Sequence, residues 1–200
     1  MTIKLYGFGP SRSQRCEWAL SELGLEYTLV NVIEGGLLNE PEFKKINPFG
    51  AMPAIDIDGK TLFESAAICT YLADLHPEKS LIGASGSWER ALHDQWVSYT
   101  LANMEAWLWS IAKQKMRYPE EKRVPAVIPS NVEEFRDAAS VLDGIFAESE
   151  YLIGEKFSMI DVILGYTVNW ARKAKLLEGF ENLQAYNKRL LQRNTCPIPE

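Results

Sequence analysis

The sequence predicts an α/β domain with a mixed four-stranded sheet, followed by a domain that contains only helices. Three observations support this prediction. The first 32 residues follow a β-α-β order, two β-rich runs are joined by Asp58-Gly59, and a Gly- and Ser-rich stretch at 77–87 precedes purely helical patterns. We therefore divide the chain into an α/β domain at 1–79, a linker at 80–87 and an all-α domain at 88–200.

The first three elements form a parallel β-α-β unit. Residues 3–6 alternate between apolar and polar side chains, which is typical of a short strand. From Arg12 the period becomes helical, and Gly24 supplies a left-handed stop. Residues 27–32 are rich in β-branched side chains and predict a second strand. The helical face consists of Cys16, Ala19, Leu20 and Leu23.

A β-hairpin and a helix complete the α/β domain. Residues 53–57 and 60–63 are joined by Asp58-Gly59, and a type I′ turn requires positive φ at both of these residues. Glu64-Ser65 then opens a helix that stops before Pro77, whereas residues 34–49 are predicted to be a loop. The resulting order, β-α-β followed by β-β-α, is the thioredoxin-like arrangement.

Four helices are predicted in the second domain. The first runs from Trp88 to about Arg117, and the second begins at the capping box Ser130-Asn-Val-Glu133. A third begins at Ser158, where Ser158 and Asp161 form another capping box with a structural role. The fourth spans roughly 182–193.

Composition excludes several classes of function. The chain carries 21 Lys and Arg against 27 Asp and Glu, so it lacks the basic surface that nucleic acid requires. The N-terminal residues lack a signal-peptide pattern, and no apolar run approaches the ~20 residues needed to cross a membrane. The three cysteines form no CxxC pair and the two histidines are isolated. We therefore expect a cytoplasmic protein without a metal site.

Candidate chemistry begins at the strand–helix junction GPSRSQRCEWAL. Ser11 and Gln14 have the spacing of a capping box, in which the serine oxygen accepts a hydrogen bond. The Ser11 hydrogen remains available for a ligand, so the two roles are compatible. Ser13 is a rival hydroxyl that lies inside the helix. Cys16 shares the apolar face of this helix, which favours a buried structural thiol over a reactive one.

Two further stretches allow either a structural or a functional interpretation. Pro53 is either an edge device of its strand or a cis-proline that exposes the backbone of Met52 to a peptide-like ligand. Ser65 is either an N-cap or, together with Glu64, a site for the carboxylate and ammonium groups of an α-amino acid. The sequence leaves both questions open.

Four segments resemble the cytosolic glutathione transferase superfamily. They are GPSRSQR near the start, NPFGAMPAIDIDG, LFESAAI and YLIGEKFSMIDVIL, and they occur in the order and at the spacing of that family over nearly the whole chain. The chain is most similar to the Ser-type branches (theta, delta and phi-like), because Ser11 precedes Arg15 by four residues as their serine does.

The resemblance implies a glutathione site and no metal. Ser11 matches the catalytic serine whose hydroxyl stabilises the thiolate of glutathione, the co-substrate. Met52, just before the presumed cis-Pro53, matches the residue whose backbone pairs with the cysteinyl part of glutathione. Glu64 and Ser65 match the pair that holds the γ-glutamyl end.

The resemblance also implies a homodimer and shows two departures. Phe49 matches an aromatic side chain that inserts into the partner subunit in several classes. Ala51 stands where many members have Gln or Lys, and residues 34–42 contain no basic side chain to face the glycyl carboxylate of glutathione. Lys44 or Lys45 can take over that contact.

The resemblance thus predicts a glutathione S-transferase that directs the glutathione thiolate at a small hydrophobic electrophile. Two alternatives remain open on the same scaffold. One is a glutathione-dependent disulfide reductase or peroxidase, and the other is a non-catalytic module for dimerisation or binding. The departures at Ala51 and in residues 34–42 are what keep the second alternative in view.

Overall fold

The computed structural model describes residues 1–199, which form two compact units. Among the described residues, the first unit contains Met1–Ser85 together with residues 191–199, and the second unit is Gly86–Leu190. The sequence had placed the residues after 190 in the helical domain. In the structure these residues cluster with the first unit instead.

The first unit is built on the predicted four-stranded mixed sheet. Its strands are β1 (Ile3–Gly7), β2 (Thr28–Asn31), β3 (Ala54–Ile57) and β4 (Lys60–Phe63), in the order β2-β1-β3-β4. Strands β1 and β2 pair in parallel, while β1–β3 and β3–β4 are antiparallel. The thioredoxin-like arrangement is therefore confirmed.

Two turns adopt the backbone conformations that their residues predict. Asp58 and Gly59 both have positive φ, 49° and 84°, as the type I′ hairpin between β3 and β4 requires. Helix α1 (Ser13–Leu23) ends at Gly24, whose φ of 71° places it in the left-handed region and whose N–H bonds back to the helix.

The prediction of a loop over 34–49 is wrong. A 3₁₀ helix spans Glu34–Asn39 and helix α2 spans Pro41–Ile46. Pro41 begins α2 because a proline fits the first turn, where its missing N–H is not needed. Phe43 anchors the segment, since its fully buried ring packs with Val32 and Ala54. Only one apolar position of this short helix is fully buried, which leaves no periodic pattern to detect.

Two predicted capping boxes are absent. Helix α1 has Arg12 rather than Ser11 at its N-cap position, and no side chain caps it. In the second unit, helix α6 (Ile128–Phe146) starts before Ser130, because Pro129 is accommodated in its first turn. The Ser130 hydroxyl donates instead to the carbonyl of Val127.

The second unit contains the predicted helices together with two short 3₁₀ helices, Glu120–Lys122 and Pro125–Val127, that the sequence did not predict. A continuous helical run contains α4 (Trp88–Tyr99) and α5 (Ala106–Ala112), each followed by a π-helical segment, Thr100–Glu105 and Lys113–Arg117. Helices α7 (Met159–Lys173) and α8 (Glu181–Leu191) follow α6. The capping box between Ser158 and Asp161 at the start of α7 is confirmed.

Helix α3 (Ser65–Asp74) completes the first unit by following β4 directly and packing against α1. Within residues 1–199, no helix combines the length and the apolar character that crossing a bilayer requires.

Candidate active site

The register of the sheet brings three separate segments of the first unit to one edge. Tyr6 of β1 lies opposite Ala54 of β3, and Ala54 lies opposite Phe63 of β4. The chain therefore leaves β1, enters β3 and leaves β4 at the same edge. The segments at this edge are the loop after Gly7, the dipeptide Met52-Pro53 and the dipeptide Glu64-Ser65.

Ser11 lies in the loop between β1 and α1 and is half-buried. Its hydroxyl donates a hydrogen bond to the carbonyl of Phe8. Its oxygen accepts a hydrogen bond from the backbone N–H of Ser13 at 3.2 Å, and it lies 2.9 Å from the Ser13 Oγ. The Ser11 carbonyl also accepts from the N–H of Gln14. The side chain is thus held by its own loop rather than by a capping box.

Ser13 is fully buried at the first residue of α1. The Phe8 N–H donates to its hydroxyl oxygen at 3.3 Å. Gly7 makes this close packing possible, because a Cβ atom at position 7 would lie only 2.5 Å from the Ser13 Oγ. Of the two serines, only Ser11 has exposed surface.

Met52 and Pro53 are joined by a cis peptide bond, one of the two alternatives that the sequence left open for this proline. Pro53 is buried, and Met52 packs in part against the cluster that contains Phe43. The preceding turn is organised by Asn47, which is itself buried and whose amide donates to the Ala51 carbonyl at 2.7 Å. This bond fixes the chain immediately before Met52.

Glu64 and Ser65 begin helix α3 in a way that leaves the helix start uncapped. Glu64 occupies the N-cap position with an unusual positive φ of 72°, and no side chain forms a cap there. Its side chain is exposed, whereas Ser65 is buried. Arg15, which is fully buried in α1, donates from Nη1 to the Ser65 Oγ at 3.1 Å. The interpretation of Ser65 as an N-cap is therefore wrong.

The thiols of Cys16 and Cys69 are buried behind this arrangement, where they donate to the carbonyls of Ser65 and Arg15 at 4.0 and 3.5 Å. Cys16 is fully buried in α1, and burial raises the pKa of its thiol well above the ordinary value. The neighbouring Cys69 thiol raises it further. Among residues 1–199, no group of three or more His, Cys, Asp or Glu side chains is placed to hold a metal ion.

This edge of the sheet offers complementary groups for a peptide-like ligand. An uncapped helix start presents backbone N–H groups and positive partial charge to a carboxylate. The exposed Glu64 carboxylate beside it suits an ammonium group, and the Met52 backbone lies just before the neighbouring strand β3. Such a set of groups fits an α-amino acid end that continues into an extended peptide.

Sequence reasoning missed two residues that build this edge. Arg15 lies on the helix face that also carries Trp18 and Ala19, both fully buried, and a charge on a buried face is a signal that it has a specific partner. Asn47 carried a weaker signal, because an Asn before a proline and a glycine marks a turn without indicating what the side chain binds.

Comparisons with known proteins identify the family. The model of the glutathione S-transferase N-terminal domain matches residues 1–74, and that of the C-terminal domain matches residues 125–189. A glutathione S-transferase of Silene vulgaris is 30% identical over 213 aligned positions, which cover 96% of this chain and 94% of the relative. The chain belongs to the glutathione S-transferase family. It is a glutathione transferase, an enzyme that uses glutathione as a co-substrate.

Other members of the glutathione S-transferase family are similar over most of their length. Glutathione S-transferase GstA of Escherichia coli O157:H7 is 28% identical over 178 residues, which is 87% of this chain and 85% of the relative. A solved structure of glutathione S-transferase-I bound with the ligand lactoylglutathione is 27% identical with a TM-score of 0.82. The similarity covers 98% of this chain and 97% of that structure.

Proposed function

We propose that Ser11 donates a hydrogen bond to the sulfur of bound glutathione and thereby stabilises its thiolate for attack on a hydrophobic electrophile. The observation that carries this proposal is the position of Ser11: its half-buried hydroxyl lies at the sheet edge that also carries Met52 and Glu64. Ser13 is fully buried and unsuited to the same task. The thiol releases its proton to solvent, and the thiolate attacks the electrophilic carbon. The S–C bond forms, the bond from that carbon to the leaving group breaks, and the leaving group departs with the electron pair.

A hydrogen bond is sufficient for this activation. A thiol with a pKa near 8.5 is ionised only to a few per cent at pH 7, so a decrease of about two pKa units makes most of it nucleophilic. That decrease corresponds to roughly 2.7 kcal/mol, which charge-assisted hydrogen bonds supply. Neither a general base nor a metal ion is needed for this step.

The groups that bind the rest of glutathione lie at the same edge of the sheet. The Glu64 carboxylate takes the ammonium group of the γ-glutamyl end, and the Ser65 hydroxyl and the N–H groups at the start of α3 take its carboxylate. Because Arg15 donates to the Ser65 oxygen, the Ser65 hydrogen is free to point at the ligand. The backbone of Met52 pairs with the cysteinyl part of glutathione beside the cis-Pro53.

The test is the pH dependence of conjugation in Ser11→Ala. With a chlorodinitrobenzene-type electrophile, we expect kcat/KM at slightly acidic pH to fall about 10- to 100-fold and the apparent pKa of the bound thiol to rise by one to two units, on the order of the stabilisation lost. Ser130→Ala is the matched control, since that hydroxyl serves only its own helix in the second unit. An unchanged pH profile in Ser11→Ala would remove Ser11 from the reaction.

Parallel assays distinguish the other glutathione-dependent chemistries. A mixed disulfide and cumene hydroperoxide are offered to the wild-type protein alongside the conjugation substrate. We expect conjugation to be the fastest reaction, because a serine hydroxyl stabilises a thiolate without forming a mixed disulfide itself. Retention on immobilised glutathione separates all of these from a module that binds no glutathione.

We also propose that the protein is a homodimer in which Phe49 enters the partner subunit. Phe49 is 86% exposed, which is unusual for a large apolar side chain. Its backbone is fixed, because the Phe49 N–H donates to the Asn47 side chain at 3.0 Å. We expect Phe49→Ser to shift the protein from dimer to monomer in sedimentation, whereas Met116→Ser, with a side chain 69% exposed in wild type, leaves the dimer intact.

A cytoplasmic setting fits the state of the cysteines. Cys16, Cys69 and Cys196 are all free thiols, and two of them are buried. Free thiols persist where the surroundings are reducing. We therefore propose that the protein acts in the cytoplasm, which fractionation of cells that express it will test.

A further inference from the structure

We propose that Ser13 is a positioning residue that anchors the Ser11 oxygen, so that the Ser11 hydrogen can turn from the Phe8 carbonyl to the glutathione thiolate while the oxygen stays in place. This inference rests on the proposed role of Ser11 and assigns a part to the second serine of the junction. Ser13 touches neither glutathione nor the electrophile.

Both polar groups of Ser13 reach the Ser11 oxygen. The Ser13 backbone N–H donates to Ser11 Oγ at 3.2 Å. The two hydroxyl oxygens lie 2.9 Å apart, within hydrogen-bonding distance. The Ser11 oxygen is therefore held from one side by two groups of a single residue.

The direction of the bond between the hydroxyls follows from counting hydrogens. Ser11 has one hydroxyl hydrogen, and the Phe8 carbonyl, which it contacts, can only accept. That hydrogen therefore goes to Phe8, and the hydrogen between the two serines is supplied by Ser13. Ser13 in turn accepts from the Phe8 N–H at 3.3 Å. The loop forms a closed ring of hydrogen bonds through Phe8, Ser11 and Ser13.

Ser13 cannot easily leave this position. It is fully buried and lies on the first turn of α1. The Cα of Gly7 approaches it so closely that a Cβ there would be 2.6 Å from the Ser13 Cβ. A side chain confined in this way keeps its hydroxyl aimed at Ser11, whereas the half-buried Ser11 has room to change its hydrogen's direction.

The arrival of a thiolate changes only one bond of the ring. A charged acceptor forms a stronger hydrogen bond than a neutral carbonyl, so the Ser11 hydrogen turns toward the sulfur. The oxygen keeps its two bonds from Ser13 during this change. Donation from Ser13 also polarises the Ser11 hydroxyl, because hydrogen bonds in a chain strengthen one another. Both effects favour the thiolate.

The test is a double-mutant cycle with Ser11→Ala, Ser13→Ala and the double variant. The readouts are the ultraviolet absorbance of the bound thiolate as a function of pH and the pH profile of kcat/KM. We expect Ser13→Ala to raise the pKa of bound glutathione by about 0.5 to 1 unit, the size of one lost hydrogen bond. In the Ser11→Ala background, we expect the Ser13 substitution to produce no further shift.

Each outcome is decisive. A Ser13→Ala variant that is destabilised in thermal unfolding yet keeps the wild-type thiol pKa would show a structural role only, and so would a shift that persists without Ser11. Should Ser13→Ala fail to fold, Ser13→Cys keeps the shape with a weak donor and is expected to show a rise in the thiol pKa. Ser21→Ala, an exposed serine of α1, controls for changes elsewhere in the helix.

The cycle also separates this proposal from the proposed role of Ser11. If Ser11→Ala leaves the thiol pKa unchanged, the role of Ser11 is wrong and that of Ser13 falls with it. If Ser11→Ala raises the thiol pKa and Ser13→Ala does not, Ser11 keeps its role and only the anchoring by Ser13 is overturned.

Discussion

The Arg15 guanidinium donates to the Ser65 hydroxyl oxygen across 3.1 Å, and both side chains are buried. This bond joins α1 to the first residue of α3. A guanidinium can only donate hydrogen bonds, so Arg15 bonds to the oxygen of the Ser65 hydroxyl. The hydrogen of that hydroxyl stays available for another acceptor. The start of α3 thereby gains a hydroxyl whose orientation is set from the neighbouring helix.

We expect Arg15→Lys to weaken glutathione binding more than it slows the chemical step. Lysine keeps the charge but cannot reproduce the geometry of the guanidinium, so Ser65 loses its fixed orientation. The KM for glutathione should rise about tenfold, corresponding to the loss of one charge-assisted hydrogen bond, while kcat falls much less. Steady-state kinetics at saturating electrophile measure both constants. Arg123→Lys, a half-buried arginine of the second unit, is the control.

We expect Lys44 rather than Lys45 to bind the glycyl carboxylate of glutathione. The Lys45 ammonium is already paired with both oxygens of Glu42 at 2.8 Å. The Lys44 side chain instead runs toward Gly50, with its Cε 3.8 Å from where a Cβ at position 50 would lie. Gly50 precedes Met52 by two residues, so we expect this lysine to reach the proposed glutathione site.

The comparison of Lys44→Ala with Lys45→Ala tests this assignment. Lys44→Ala should raise the KM for glutathione about three- to tenfold, because an exposed ion pair contributes about 1 kcal/mol. The same substitution should have little effect on the KM for γ-glutamylcysteine, which lacks the glycyl residue. Lys45→Ala should leave the KM for glutathione and the KM for γ-glutamylcysteine unchanged. Equal effects of both substitutions would argue against a specific contact.

We expect one cysteine to react in the folded protein. Cys16 and Cys69 are fully buried, so a reagent in solution cannot reach either thiol. Burial also raises the pKa of the Cys16 thiol. Cys196 is only partly buried, although burial raises the pKa of its thiol as well. An aromatic disulfide reagent should therefore modify Cys196 slowly in the native state and all three cysteines after denaturation. Native Cys196→Ser should not react.

We expect the stability of the first unit to depend on the ionisation of Glu22. Burial alone would raise the pKa of this carboxyl, but hydrogen bonds from Arg193, Thr195 and Trp18 outweigh it, and the pKa lies below its ordinary value. Because the pKa of Glu22 is lower in the folded protein than in the unfolded chain, its ionisation stabilises the fold. This stabilisation is complete at pH values above the pKa of the unfolded chain. It is lost as the pH falls through the pKa of the folded protein.

Chemical unfolding at a series of pH values measures this effect. Glu22→Gln should lower the free energy of unfolding at neutral pH by about 1 to 3 kcal/mol and make that free energy decline less steeply as the pH falls into the acid range. The free energies of unfolding of the wild type and the variant should become equal at the most acidic pH values. Glu26→Gln, which alters an exposed carboxylate of the same unit, should leave the curve of the wild type unchanged.

We expect the buried carboxylate of Asp161 to contribute more to the stability of the second unit than Tyr186 or Asp137 does. It accepts from the N–H of Leu152 at 3.0 Å, from Ser158 at 2.8 Å and from the Tyr186 hydroxyl at 2.9 Å. Asp161→Ala should cost on the order of 3 to 5 kcal/mol, since these donors are left without an acceptor. Tyr186→Phe should cost about 1 to 2 kcal/mol. Thermal unfolding measures both, with the exposed Asp137→Ala as the control.

The fold was largely predictable because its elements have strong local signals. The Asp58-Gly59 turn, the Gly24 stop and the Ser158 capping box each depend on a few neighbouring residues whose backbone preferences are narrow. Helix α2 could not be predicted in this way. It is held by the burial of Phe43 against residues distant in the sequence, and no local pattern records such a contact.

The candidate site was predictable in its outline but not in its hydrogen bonds. The resemblance singled out Ser11, Met52 and Glu64, and the register of the sheet brings their segments to one edge. The acceptor of each hydrogen bond depends on where the side chains lie in the folded protein. Local sequence patterns do not specify these positions. Ser11 illustrates this: its spacing to Gln14 predicts a cap, yet its hydroxyl bonds within the loop because α1 begins two residues later.

The contact of Arg193 and Thr195 with Glu22 has a consequence for biosynthesis. Glu22 is made early, whereas its two partners emerge from the ribosome only after all of Gly86–Leu190. The first unit therefore cannot reach its full set of contacts while it is the only part of the chain that has been made. A fragment that ends at Ser85 carries a Glu22 carboxylate deprived of its ion pair, and completion of the first unit waits for synthesis of the second.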